Sequence, residues 1–148
     1  LSLNAPPTTA IHTLSPHHPP PISSYHRGVK FVLDVTQEPW SNSTEKTEML
    51  LGNLKTFIPK VRGCRAYGSA GINLSYLAMG AVDAYFEFGF HIWDYAAPAL
   101  IVTEAGGTVM DTTGAEVDLL ARRMVAASSQ QLATQILPLI THMKMDRD

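Results

Sequence analysis

Cysteine is almost missing from this chain: Cys64 stands alone, so no intrachain disulfide can form, and a reducing compartment, the cytoplasm by default, is expected. Long apolar runs are missing as well. The longest, around Ala96 to Val102, falls far short of the roughly 20 residues that a membrane span requires, so no membrane insertion is expected. Blocks of like charge are absent: 11 basic and 13 acidic residues are interspersed and leave a net charge of −2, which excludes the basic footprint of a nucleic-acid binder. No apolar signal segment opens the sequence, so the Asn-x-Ser/Thr matches at Asn42 and Asn73 are read as chance. Nor does the chain begin on Met. Leu1 in that place is read as the mark of a fragment, a processed product or an incomplete translation. What is present is an ordinary soluble composition, 45% apolar and 16% charged, enough for one modest core.

The texture changes once. Residues 1–28 hold six of the ten prolines, four histidines and no acid, with no periodicity, and are predicted to form an irregular arm. His12, His17, His18 and His26 in that arm are read as solvated, because flanking prolines set no ligand geometry. From residue 29 onward an ordered α/β domain is expected. Val29 to Thr36 is β-branched and apolar, a strand signal. Ser43 or Thr44 caps a predicted helix over 44–57, with Met49, Leu50, Leu54 and Phe57 at helical spacing and Pro59 just beyond. A short strand is predicted near Val61 to Ala66, then a helix carrying Ile72, Leu74 and Leu77 and closed by Gly80. Ala81 to Phe88 reads as a buried strand. A helix opening at Asp94 runs through Ala105 and ends on Gly106-Gly107, as a left-handed C-terminal cap requires. Strands at Thr108 to Asp111 and Met124 to Ala127, and a last helix capped by Ser128 or Ser129 and reaching about residue 140, complete the alternation. Such alternation argues a layered α/β fold.

Three places can carry chemistry. Gly68-Ser69-Ala70-Gly71 lies at a helix start, where small residues let a ligand approach and free amides favour an anion or polar oxygen; capping by Ser69 is the plainer reading. Glu87 and Asp94 are carboxylates seven residues apart, one near a strand end and one at a helix start. Carboxylates suit a hard cation such as magnesium, and the spacing leaves open whether Asp94 is a cap, a ligand or both. His91 is read as packed or solvated, since no nucleophile is spaced to use it. Glu104 lies about 15 Å along the same helix from Asp94, too far to share an ion.

Taken together, the run from Asp83 through Glu87, Trp93-Asp94 and Glu104-Ala105-Gly106-Gly107 resembles the C-terminal signature of inositol monophosphatases. Trp-Asp followed by small residues, and Glu-Ala-Gly-Gly, are shared by the wider lithium-sensitive phosphatases. Ala84-Tyr85-Phe86-Glu87 and Asp118-Leu119-Leu120-Ala121-Arg122-Arg123 are similar to the inositol monophosphatase branch itself. The resemblance runs from about Gly63 to Ile140, and more faintly back to Leu33. It implies the C-terminal half of a layered α-β-α-β-α sugar-phosphatase fold and a homodimeric, magnesium-dependent phosphatase of inositol 1-phosphate or similar phosphomonoesters. It implies that Asp94 ligates Mg2+ and touches inositol, that Glu87 binds an inositol hydroxyl, and that Gly68, Ser69 and Ala70 face the substrate. The family's N-terminal glutamate pair and Asp-Pro-x-Asp-Gly-Thr loop have no counterpart between Leu1 and Gly63, and Pro98 stands where the family usually has glycine. The chain alone is therefore expected to be weakly active or inactive, or to act as a non-catalytic module that pairs with a full-length subunit.

Overall fold

A strand needs a neighbour on its hydrogen-bonding edge, and β2 (Ala84–Phe88) has one on each side. In the computed structural model, which describes residues 31–33 and 43–148, β1 (Phe31–Leu33) pairs parallel to β2, with Phe31 opposite Ala84. On the other edge β4 (Arg123–Ala127) pairs antiparallel, with Phe86 opposite Val125, and β3 (Thr108–Met110) pairs antiparallel to β4. The sheet order is thus β1-β2-β4-β3. The arm expected over 1–28, and the parts of the first predicted strand beyond 31–33, lie outside the described residues.

Side-chain alternation along β2 and β4 sorts the core into two layers. Ala84, Phe86 and Phe88, with Val125 and Ala127, pack against α1 (Thr44–Phe57) and α4 (Gln130–Ile136) through Met49, Phe57, Leu132 and Ile136. Tyr85, Met124 and Ala126 face the other way, onto α2 (Ala70–Ala78) and α3 (Ile92–Glu104) through Leu74, Leu77, Tyr95 and Val102. Both sides of the sheet are covered, which is the α/β layering that the alternation predicted.

Local chemistry explains the boundaries. Ser43, Ser69 and Ser129 each accept a backbone N–H from the first turn of α1, α2 and α4. At the end of α3, Gly106 adopts φ +87° while its N–H reaches Thr103 and the Gly107 N–H reaches the Val102 carbonyl at 2.9 Å, the paired bonds of a Schellman cap.

Three expectations need correction. The segment 61–66 forms no strand; its inward residues, Val61 and Cys64, are three apart rather than alternating, so it cannot present one pleated face. The buried strand begins at Ala84, not Ala81. Finally, α3 starts two residues before Asp94, with His91 at the cap position. No helix among the described residues is long and apolar enough to cross a membrane.

Candidate active site

Connection lengths bring the predicted residues to one end of the sheet. Five residues join α2 to β2 and three join β2 to α3, so each helix runs back along the strand. The N-termini of α2 and α3 therefore lie where β2 finishes, and Ser69, Glu87 and Asp94 share that end.

At the start of α2, Gly68 takes φ +72°, a conformation that suits glycine. Ser69 Oγ accepts the Ile72 N–H at 3.4 Å, so the capping reading holds. As first-turn residues, Ala70 and Gly71 have amides with no intrahelical acceptor. Glu87 shares a strand face with Tyr85, two residues earlier, and the buried Tyr85 hydroxyl donates to Glu87 Oε2.

Asp94 occupies the third position of α3, where its Oδ2 accepts the His91 N–H at 2.8 Å, as the acid of a capping box does. Among the described residues nothing engages its Oδ1. The capping role thus takes up one of the two carboxylate oxygens. The N-cap residue itself, His91, stacks on the exposed Trp93 ring at 4.5 Å and 12°.

Two residues that sequence reasoning missed complete this corner. Asp148 Oδ2 accepts the Ile92 N–H at 2.8 Å, and its Oδ1 lies 2.5 Å from His91 Nδ1 and 3.7 Å from Arg122 Nε. Burial pushes the Asp148 carboxyl up, but hydrogen bonds from the His91 ring and the Ile92 N–H, with the nearby Arg122 guanidinium, outweigh it and hold the acid below its usual range. Arg122, a non-glycine at φ +56°, donates to the Gly89 carbonyl at 2.8 Å and accepts the Gly89 N–H on its own carbonyl at 2.7 Å. No spacing rule connects Asp148 to a loop 56 residues earlier, so only the folded chain reveals it.

Next to it, burial and then the carboxylates of Asp148, Asp118 and Asp111 push the Tyr95 phenol up to about 12. It stays protonated and donates to the Leu119 carbonyl at 2.5 Å. A separate cavity of about 270 Å³, lined by Asp111, Glu116, Asp118, Arg123, Lys144 and Arg147 among others, includes none of Gly68, Ser69, Ala70, Glu87 or Asp94.

Among the described residues no group of three or more His, Cys, Asp or Glu side chains is placed to hold a metal. The donor chemistry fits one position in a magnesium shell, since that ion keeps several waters and needs only one or two carboxylates beside substrate phosphate. Asp94 Oδ1 is such a donor.

Residues 14–144 match the model of the inositol monophosphatase family. The chain is 43% identical to inositol monophosphatase 1 of Homo sapiens over 115 residues, covering 77% of this chain and 42% of that protein. It is 42% identical to inositol monophosphatase 2 of Homo sapiens over 102 residues, covering 68% of this chain and 35% of that one. In three dimensions it resembles the extragenic suppressor protein suhB from Bartonella henselae, with a TM-score of 0.67, 26% identity, and coverage of 76% of this chain and 41% of the other. The chain thus spans less than half the length of the relatives it matches. With the family model covering most of the sequence and the same fold recurring in the solved structure, this chain belongs to the inositol monophosphatase family.

Proposed function

We propose that the chain is the substrate-facing part of a magnesium-dependent hydrolase that releases phosphate from inositol 1-phosphate or a similar small phosphomonoester in the cytoplasm. The observation that supports this reading is Asp94: one carboxylate oxygen is committed to its own helix start and the other has no partner among the described residues, at the end of the sheet that also holds Glu87 and the α2 N-terminus. Glu87, already taking the Tyr85 hydroxyl, is an acceptor suited to a sugar hydroxyl. The Ala70 and Gly71 amides, beside Gly68 and Ser69, offer donors to a polar oxygen. Magnesium, when bound, supplies Lewis-acid polarisation of the phosphate and an activated water. The chain's own contribution is to orient the inositol and to give one carboxylate to the ion.

A single carboxylate holds magnesium weakly, so the isolated chain should release little or no phosphate. The test combines the chain with the N-terminal portion of a full-length relative and measures phosphate release from inositol 1-phosphate with and without magnesium. Activity that needs both magnesium and Asp94, and is lost in Asp94→Asn, is expected. Equal activity in Asp94→Asn would overturn the assignment, as would robust release by the chain alone.

The lack of a three-residue metal cluster among the described residues also favours a second reading, a non-catalytic module that pairs with a full-length subunit as one member of a homo-oligomer-like assembly. Co-sedimentation with full-length inositol monophosphatase, with altered turnover of that enzyme, would select it.

A further inference from the structure

We infer that Asp148 is a positioning residue for the segment from His91 to Asp94, holding the His91 amide on Asp94 Oδ2 so that Oδ1 stays available to a ligand. The inference rests on the reading of Asp94 as a ligand and extends it to a residue far away in sequence.

The segment is held from two sides. On one, the Asp148 carboxylate takes both the Ile92 N–H at 2.8 Å and the His91 ring at 2.5 Å. On the other, the Arg122 guanidinium lies 3.3 Å from His91 Nε2 and 2.8 Å from the Gly89 carbonyl. The ring is therefore bracketed, with Asp148 at Nδ1 and Arg122 at Nε2. With the ring and the next amide so held, the His91 N–H has a fixed direction, and it is the donor that Asp94 Oδ2 accepts.

Asp148 is brought there by a chain of local anchors. Its own N–H donates to the Leu120 carbonyl at 3.1 Å, and the neighbouring Arg147 pairs with Asp118. The 118–122 loop thus carries both Arg122 and the docking points of the 147–148 segment, so one loop sets both sides of the clasp. Hydrogen-bonded partners of a ligating carboxylate typically change metal affinity by about 10–100-fold when removed. An indirect partner belongs at the low end of that span.

The experiment is a magnesium titration of the 148-residue chain followed by 15N NMR, which reads weak affinity at the His91 and Asp94 amides and, separately, the amide exchange rate at His91 without metal. Wild type, Asp148→Ala, Asp148→Glu and Asp94→Asn are compared. Expected are a loss of the response in Asp94→Asn, about tenfold weaker magnesium affinity in Asp148→Ala, faster His91 exchange in the same variant, and recovery of both toward wild type in Asp148→Glu. If Asp94→Asn loses the response while Asp148→Ala keeps wild-type affinity, the positioning role is overturned and the ligand reading stands. If wild type and Asp94→Asn respond alike, the ligand reading falls. The clasp is then decided by exchange alone: faster exchange at His91 in Asp148→Ala sustains it, and unchanged exchange removes it. Should Asp148→Ala lose cooperative unfolding, Asp148→Asn, which keeps one acceptor for Ile92, is read in its place by the same criteria.

Discussion

Single residues in this domain do their work through partners that their own type demands. Asp111 is buried, and its carboxylate takes the Thr113 N–H at 2.8 Å, the Thr113 hydroxyl at 2.6 Å and the Arg123 guanidinium at 2.9 Å. Burial pushes the acid up, yet the Thr113 and Arg123 bonds prevail and hold it below its usual range. A carboxylate with a lowered folded-state pKa contributes stability that is complete above its unfolded value, about 3.9, and is lost as the pH falls through the folded value. Asp111→Asn should therefore destabilise the fold by about 3 kcal/mol at pH 7, because it strands a largely buried guanidinium. The same variant should show a smaller stability loss below pH 4 than wild type, as read by urea unfolding across pH. Gly107 is constrained by space rather than charge. A Cβ there would sit 2.7 Å from Val102 Cγ1 and 3.1 Å from the Ala127 carbonyl oxygen. Gly107→Ala should cost about 1–3 kcal/mol, seen as a lower denaturant midpoint at unchanged slope.

At the scale of elements, α3 is the informative one. Its start is set by His91, Asp94 and Asp148 together rather than by one capping side chain, and its end by the Gly106-Gly107 cap. Between them Pro98 lies inside the helix, where it has no N–H for the Asp94 carbonyl. The helix forms nonetheless, because Tyr95, Ala99 and Val102 bury one face against α2 and the sheet. Proline costs about 3 kcal/mol relative to alanine in a helix interior and returns about 0.4–1 kcal/mol by restricting the unfolded chain. Pro98→Ala should accordingly stabilise the domain by about 2 kcal/mol, measured by thermal unfolding. The two ends of this helix were unequally legible. Gly106-Gly107 announced its end through a local rule, whereas Asp94 looked like the first residue because nothing nearby identifies His91 as a cap.

For the molecule as a whole, contacts between distant segments decide what the local rules leave open. Asn53, fully buried on α1, donates to the Thr141 carbonyl at 3.1 Å and accepts the Thr141 N–H at 2.6 Å, joining residues 88 apart. Removing those two bonds in Asn53→Ala should cost about 1–2 kcal/mol and speed amide exchange at Thr141, a test of whether this link holds the segment after α4 onto the core. Much of the architecture was legible beforehand. The span of α1, the buried strand around Tyr85 and Phe86, the serine caps and the glycine stop of α3 follow from periodicity, side-chain alternation and backbone freedom, all of which act within a few residues. Glu87 and Asp94 were legible as carboxylates beside a strand end and a helix start. The sequence by itself thus determined the element order apart from the strand expected at 61–66, the α/β layering and the family. Only the tertiary structure decided that 61–66 makes no strand, that α3 begins at Ile92, and that Asp148 and Arg122 close on the His91 to Asp94 segment. The reason is physical: a cap or a side-chain partner supplied from 31 or 56 residues away leaves no periodic trace in the chain, because the bond exists only once the sheet has brought its ends together.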